Sequence, residues 1–304
     1  MTAVGPMTLF REARRHFPGN SPGTLAMQLR FTRAGLASRD AVRRMLAPAE
    51  GSELARIMAE RPKFIGALVW PYLCASWGPE ERLKRIIGHY DAIDALGAPW
   101  RFSIDERLVL AELDDIHPGM MLVVDQPEWF LREGGLTVNL FLDSFRAFSV
   151  AFSLFPEDGG LTAVIGGVQG RNREGILDTY REITKALHGL RPRDMLIEAF
   201  RMIARQMGVT RILAVSEAAR HHRHAFFKGV PTSQDYDAIW EDRGSTRLNA
   251  DFFELPVAPD RRDLETVKPK KRPMYRRRFE FLDALEAGIA DRLPGLAPVR
   301  FADS

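Results

Sequence analysis

The stretch of residues 161–216 constrains the fold of this chain more than any other part of the sequence. It begins with a strand-like alternation that ends in glycines, continues through two segments with a helical period, and ends in the apolar run Arg211-Ile-Leu-Ala-Val-Ser216. This order predicts a parallel or mixed sheet with a backbone-lined crevice beside it. Because α/β proteins bind small ligands in such crevices, at the carboxyl ends of strands, we expect a site near Ser216.

The spacing of apolar residues along the chain changes at about residue 99. Apolar residues recur at helical spacing between residues 38 and 96, and the period shortens to two between residues 100 and 170. We therefore predict an α+β protein with a helical N-terminal lobe (1–98) and an α/β core (99–304). The core is expected to hold a mixed, largely antiparallel sheet flanked by helices, and to end in a basic helix at about residues 273–292.

Composition and the N-terminal sequence favour a cytoplasmic protein. The formal net charge of +3 comes mostly from arginine and suggests acidic partners without requiring them. Cys74 is the single cysteine, which excludes an internal disulfide. The N-terminus shows no export signal, and the longest apolar run (64–77) is interrupted by Pro71 and shorter than the roughly 20 residues that span a bilayer.

Five ordered motifs between about residues 100 and 292 make the chain similar to a known family. They are Ile165-Gly-Gly-Val-Gln-Gly-Arg171, Thr184-Lys-Ala-Leu-His-Gly-Leu-Arg-Pro-Arg193, Ile212-Leu-Ala-Val-Ser216, Asp235-Tyr-Asp-Ala-Ile-Trp240 and Lys270-Lys-Arg-Pro-Met-Tyr-Arg-Arg-Arg278. Together they closely resemble the VirK/YbjX family of bacterial proteins. The resemblance implies a bacterial protein that supports virulence or resistance to envelope-directed and antimicrobial-peptide stress, with no settled biochemical activity.

The strand meander followed by a glycine-rich strand end is also similar to the core of GNAT-type acyltransferases. That similarity implies an acyl-CoA cofactor, whose pyrophosphate would contact Gln169, Gly170, Arg171 and Arg173. An alternative explanation of the glycines is that they permit close packing or a β-bulge.

Under the acyltransferase hypothesis, a general base must take a proton from an amine of a small molecule or protein. The candidate catalytic residues follow the last core strand and are Ser216, Glu217, His221 and Tyr236. Each also has a structural explanation: Ser216 as a helix N-cap, Glu217 as a first-turn acid and Tyr236 as a packing residue.

Histidines 221, 222 and 224 raise the question of a metal site. At helical spacing His221 and His224 would share a face and His222 would point elsewhere, with no clear third ligand. Because arginines flank the pair and repel a cation, we predict no metal site.

The run of residues 268–278 contains no acidic residue. Lys270, Lys271, Arg276 and Arg277 could contact nucleic acid phosphates or anionic lipid headgroups. Such runs are more often solvated faces, and Pro269 and Pro273 argue against one continuous recognition helix. This surface is the basis of an alternative, non-enzymatic function; the sequence indicates no oligomeric state.

Overall fold

The N-terminal third of the protein is helical in the computed structural model, which describes residues 4–157, 159–227, 235–258 and 261–301. Its helices are α1 (Pro6–His16), α2 (Pro22–Ala37), α3 (Arg39–Leu46), α4 (Glu53–Glu60) and α5 (Pro79–Leu96). Local chemistry explains their limits. Ser52, for example, accepts a hydrogen bond from the Ala55 N–H at 3.1 Å, and Gly97 ends α5 with a φ of 68°.

The rest of the described chain forms a nine-stranded sheet and the helices that accompany it. Its strands are β1 (Glu106–Glu112), β2 (Met120–Asp125), β3 (Leu136–Leu142), β4 (Phe145–Glu157), β5 (Gly160–Gly170), β6 (Val209–Val215), β7 (Thr246–Arg247), β8 (Phe252–Leu255) and β9 (Val299–Arg300). The spatial order is β7-β8-β6-β5-β4-β3-β2-β1-β9. The β5–β6 pair is parallel and the other pairs are antiparallel, so the predicted mixed, largely antiparallel sheet is confirmed.

Two helices connect the parallel strands, as the sequence predicts. They are α6 (Ile176–Ala186) and α7 (Pro192–Gln206), and α7 is buried along most of its length. Gly208 follows with a φ of 73°, which a residue without a Cβ adopts without strain. The chain continues through α8 (Tyr236–Glu241) and the long α9 (Arg272–Arg292), which β9 follows.

One continuous apolar core joins the helical part to the sheet. Helix α5 packs on β4, and buried apolar residues extend from Leu9 in α1 to Leu293 after α9. The predicted boundary between residues 98 and 99 lies in the turn between α5 and β1, and the division into two lobes stays a prediction. Within the described ranges, no helix combines the length and apolarity needed to cross a membrane.

The parallel pairing of β5 and β6 ends before β5 does. It runs from Leu161–Val209 to Ile165–Ala214, after which β6 finishes at Val215 while β5 continues to Gly170. The last residues of β5 therefore have a backbone edge that β6 does not cover. This edge lies where the sequence predicts a crevice.

Candidate functional site

The uncovered edge of β5 is completed by a side chain. The Tyr236 hydroxyl accepts a hydrogen bond from the Val168 N–H at 2.8 Å and donates one to the Val168 carbonyl at 3.0 Å. Tyr236 is fully buried, and burial raises the pKa of its phenol. The residue thus takes the place of a neighbouring strand and holds the backbone of β5.

The glycines of β5 serve close packing against the loop before β3. A Cβ at Gly166 would overlap the backbone carbonyl of Glu133, and one at Gly167 would overlap the Glu133 carboxyl group. The β4–β5 register also shifts at Gly166, since Ala151 pairs with Gly167 and Phe152 with Ile165. Packing and a β-bulge together account for these two glycines.

Glu133 is a buried carboxyl group with an incomplete set of partners. Glu133 is 2 % exposed, and Gln169 Nε2 donates a hydrogen bond to its Oε1 at 2.6 Å. In the described part of the chain, Oε2 has no hydrogen-bond partner. Burial raises the pKa of Glu133 to about 8, against the opposing effects of the Arg220 charge and the Gln169 hydrogen bond.

His221 and His222 lie beside this carboxyl group, in a short 3-10 helix (His221–Arg223). Their ring centroids are 3.7 Å apart, and His221 Nε2 is 3.8 Å from Glu133 Oε1. Burial lowers the pKa of His221 to about 2, assisted by the charges of His222, Arg132 and Arg220. Neither histidine has a hydrogen-bond partner for Nδ1 among the described residues.

His221 and His224 do not share a helix face, which helical spacing would have given them. The 3-10 helix stops at Arg223 and the backbone is extended at His224, so an α-helical turn does not form. His224 Nε2 instead lies 3.1 Å from Arg82 Nη2. His222, which was expected to point elsewhere, is the neighbour of His221.

Two predicted catalytic residues form structural hydrogen bonds around this cluster. Ser216 is buried, accepts a hydrogen bond from the Ala219 N–H at 3.2 Å and donates to the Ala250 carbonyl at 2.8 Å. Glu217 accepts a hydrogen bond from Arg220 Nη1 at 3.2 Å and pairs with Arg223. The fold therefore brings the four predicted residues to one end of β6, and their catalytic roles stay predictions.

A cationic pocket adjoins the loop that carries Glu133, since Leu131 and Arg132 of this loop line it. It has a volume of about 570 Å³ and is lined by aromatic residues, three carboxylates and five basic residues: Arg61, Lys63, Arg107, Arg132 and Arg146. Asp125 pairs with Arg146 at 2.6 Å and with Arg107 at 3.3 Å, and Lys63 pairs with Glu128. The lining keeps an excess of positive charge.

Arg61 and Arg132 contribute much of that excess. Arg61 is 6 % exposed and donates from Nη2 to the Gln126 carbonyl, while its Nε has no partner in the described ranges. Arg132 Nε is likewise without a described partner, and its guanidinium lies 5.5 Å from the centroid of the Trp70 ring. Burial lowers the pKa of both arginines, and burial together with these two charges lowers the pKa of Lys63.

The predicted cofactor-binding residues separate into different surroundings. Gln169 belongs to the Glu133 cluster, and a Cβ at Gly170 would lie 2.6 Å from Phe148 Cε1. Arg171 lies 5.2 Å from the ring centroid of Trp129, a residue that lines the cationic pocket. Arg173 lies 4.2 Å from the centroid of the Phe145 ring. Of the four, Arg171 borders the pocket.

The predicted nucleic-acid or lipid surface is exposed. Lys270, Lys271, Arg276 and Arg277 all face solvent, and none forms an ion pair with another residue that the structure describes. A 3-10 turn (Pro269–Lys271) precedes α9, so the basic run is divided as its prolines suggest.

Sequence reasoning missed Glu133, Arg132 and Arg61. The segment Arg132-Glu-Gly-Gly135 has the composition of a turn, in which charged side chains are usually solvated. Their burial depends on β5 and on the segment around Trp70, which are distant in sequence. The sequence feature that pointed to this site was the glycine pair at 166 and 167, which indicates that another segment of the chain approaches the strand closely there.

The family of the chain follows from comparison with known proteins. The family model described as "Protein of unknown function (DUF535)" matches residues 21–291. The chain belongs to this family. The chain is 29% identical over 253 residues to the uncharacterized protein YbjX of Escherichia coli K12, across 79% of this chain and 74% of the relative. This confirms the resemblance to the VirK/YbjX family.

Two shorter matches are to uncharacterized proteins of Haemophilus influenzae. One is 33% identical over 134 residues, which is 44% of each chain. The other is 32% identical over 127 residues, which is 41% of this chain and 42% of the relative. No solved structure matches the chain, and the similarity to GNAT-type acyltransferases is not confirmed.

Proposed function

We propose that this DUF535 protein binds a small molecule carrying phosphate or carboxylate groups in the cationic pocket. The observation that carries the proposal is the convergence of Arg61 and Arg132, whose Nε atoms are buried without a described partner, on one cavity that Lys63 also lines. Burial lowers the pKa of both guanidinium groups. Desolvated cations are costly unless an anion is near, so a bound anion offsets that cost.

The size and chemistry of the pocket suit such a ligand. Its volume of about 570 Å³ lies within the range of about 300–1,000 Å³ that small-molecule sites occupy. Guanidinium groups bind phosphate and carboxylate through paired hydrogen bonds. The indole ring of Trp129, which is 56 % exposed, offers apolar surface to an aromatic or sugar group.

A narrower form of the proposal is that the ligand is an acyl-CoA and that the protein transfers its acyl group to an amine of a small molecule or protein. Arg171 supports this, because it extends the cationic pocket past Trp129 toward the end of β5. When bound, the cofactor would supply the activated acyl group, and the pocket residues would hold its phosphates. The backbone of Val168 would not contribute, since Tyr236 occupies both of its polar groups.

A second candidate is a non-enzymatic protein that contacts nucleic acid or anionic lipid through Lys270, Lys271, Arg276 and Arg277. Their exposure, without an ion pair to another described residue, favours it. In either case the proposed biological setting, from the family resemblance, is virulence or resistance to envelope stress in a bacterial cytoplasm.

Thermal unfolding in the presence of ligands tests these proposals. Pyrophosphate, coenzyme A, acetyl-CoA and ATP are compared with adenosine, which is uncharged. A ligand that binds the native state raises the melting temperature. We expect an increase with the anions and none with adenosine, and loss of that increase in Lys63→Gln and Arg132→Gln. A rise limited to coenzyme A and acetyl-CoA would favour the narrower form.

The matched control replaces Lys270, Lys271, Arg276 and Arg277 together by alanine. This variant should keep the anion-dependent increase if the pocket is the site. Absence of any increase in the wild type would overturn the pocket proposal. Binding of DNA or anionic vesicles that is lost in the fourfold variant and weakens with salt would establish the second candidate.

A further inference from the structure

We propose that Glu133, His221 and His222 bind one divalent transition-metal ion of the zinc type. One potential ligand atom from each of the three side chains lies within 4.8 Å of the other two. Two imidazoles and one carboxylate are a donor set that zinc and its neighbours in the first transition row accept. The site is distinct from the proposed anion pocket and goes beyond the function proposed above.

The first argument is the number of buried side-chain oxygen and nitrogen atoms that have no hydrogen-bond partner. Glu133 is 2 % and His221 is 4 % exposed. Yet Glu133 Oε2, His221 Nδ1 and His222 Nδ1 have no hydrogen-bond partner among the described residues. Buried polar atoms are normally satisfied, so three unsatisfied atoms in one cluster indicate a missing partner. A single cation accepts donation from all three side chains at once.

The second argument is that the cluster is held in position from outside. Gln169 donates to Glu133 Oε1, and Gly166 and Gly167 pack against the backbone and carboxyl group of Glu133. The ring of Phe227 lies 5.5 Å from His221 and 5.3 Å from His222, measured between centroids. These contacts keep the three side chains together before a metal ion with ligand bonds of about 2.1 Å binds.

The third argument concerns the neighbouring arginines, which select among metals. Arg220 lies 3.7 Å from the centroid of the Tyr236 ring and pairs with Glu217, and Arg132 is surrounded by Trp70, Phe226 and Phe227. Their charges disfavour Mg²⁺ and Ca²⁺, which are bound by oxygen ligands and net negative charge. Metals that bond well to imidazole nitrogen tolerate them better.

Metal titration of the full chain tests the site. The protein is treated with a chelator, dialysed, and titrated with Zn²⁺ and with Co²⁺ by calorimetry, and the visible absorption of bound Co²⁺ is recorded. We expect one equivalent of either metal and no binding of Mg²⁺ at the same concentration. Zn²⁺ should also raise the melting temperature.

Three variants assign the ligands. His222→Asn, at a half-buried position, and Glu133→Gln, which keeps the shape of the side chain, should each weaken Zn²⁺ binding at least tenfold. His224→Asn is the matched control and should bind as the wild type does, because His224 contacts Arg82 outside the cluster. Circular dichroism of the metal-free variants verifies that they are folded.

Two results would overturn the proposal. One is the absence of Zn²⁺ and Co²⁺ binding to the chelator-treated wild type. The other is binding that is unchanged in folded His222→Asn, which would place the metal elsewhere. If Glu133→Gln does not fold, the His222→Asn and His224→Asn pair decides the question alone.

Discussion

The Cα of Gly166 faces the backbone carbonyl of Glu133 so closely that a Cβ at position 166 would overlap the carbonyl oxygen. A backbone atom cannot rotate away as a side chain can. We therefore expect Gly166→Ala to lower the free energy of unfolding by about 1–3 kcal/mol, as overpacking does in other cores. Urea denaturation measures the change.

Gly288 provides the control for this substitution. It lies inside the last third of α9, and a Cβ there would meet nothing within 4 Å. Gly288→Ala should stabilise the protein by up to about 1 kcal/mol, because alanine is the better helix former. Equal effects at positions 166 and 288 would contradict the close approach of Gly166 to Glu133.

Removal of the Tyr236 hydroxyl should weaken the fold without changing its shape. Tyr236→Phe leaves the N–H and the carbonyl of Val168 buried and unpaired, and the expected cost is about 1–3 kcal/mol. Tyr275→Phe is the control, since the Tyr275 hydroxyl accepts a long hydrogen bond of 3.3 Å from Arg262 at the surface. Comparable losses of unfolding free energy in both variants would show that the hydrogen bonds to Val168 stabilise the fold no more than a surface hydrogen bond does.

Loss of the Asp125 charge should be more costly than any surface charge change. Asp125 lies 2.6 Å from Arg146 Nη2, and both side chains are 4 % exposed. Asp125→Asn leaves the Arg146 charge buried and uncompensated, with an expected loss of about 3–5 kcal/mol. Equilibrium unfolding in guanidinium chloride measures this loss.

The exposed pair of Asp283 and Arg261 is the reference for the buried one. Their side chains are 56 % and 49 % exposed. Asp283→Asn should change stability by about 0–1 kcal/mol. A similar small change in Asp125→Asn would mean that solvent reaches the buried pair.

His89 should make the fold sensitive to acid. Its Nδ1 accepts a hydrogen bond from the Leu154 N–H at 3.1 Å, and burial lowers the pKa of the imidazole to about 3. Between the unfolded pKa of 6.5 and about 3, the unfolded state binds the extra proton. The His89 contribution to stability is therefore intact above pH 6.5 and decreases by about 1.4 kcal/mol per unit as pH falls.

Urea denaturation of wild type and His89→Gln at pH 7 and pH 5 checks this expectation. Glutamine can accept the Leu154 hydrogen bond and does not titrate. The variant should lose about 2 kcal/mol less than the wild type between the two pH values. Identical pH dependence in the two proteins would exclude His89 as a source of acid sensitivity.

The sequence predicts regular elements well where the signal is local. The spacing of apolar residues predicts a helix at 79–96 and a strand at 136–142, and the structure has α5 at Pro79–Leu96 and β3 at Leu136–Leu142. It does not predict β7 or β9, because strands of two residues carry no measurable alternation.

Prediction of the candidate site is less complete for a physical reason. His221 and Tyr236 lie where the end of β6 places them, but the cluster depends on Glu133, which arrives from a loop before β3. Whether a carboxylate after an arginine is solvated or buried is decided by contacts with β5, more than 30 residues away in the chain. No local pattern contains that information.

Both outermost strands of the sheet, β7 and β9, are two residues long, and each contains an arginine. An extended segment from another molecule that approached either edge would find few backbone groups to pair with and a charged side chain beside them. Long, flat edges promote aggregation by strand addition, and these edges lack that property. Within the described ranges, the sheet thus has on each side a short terminal strand that offers little to strand addition.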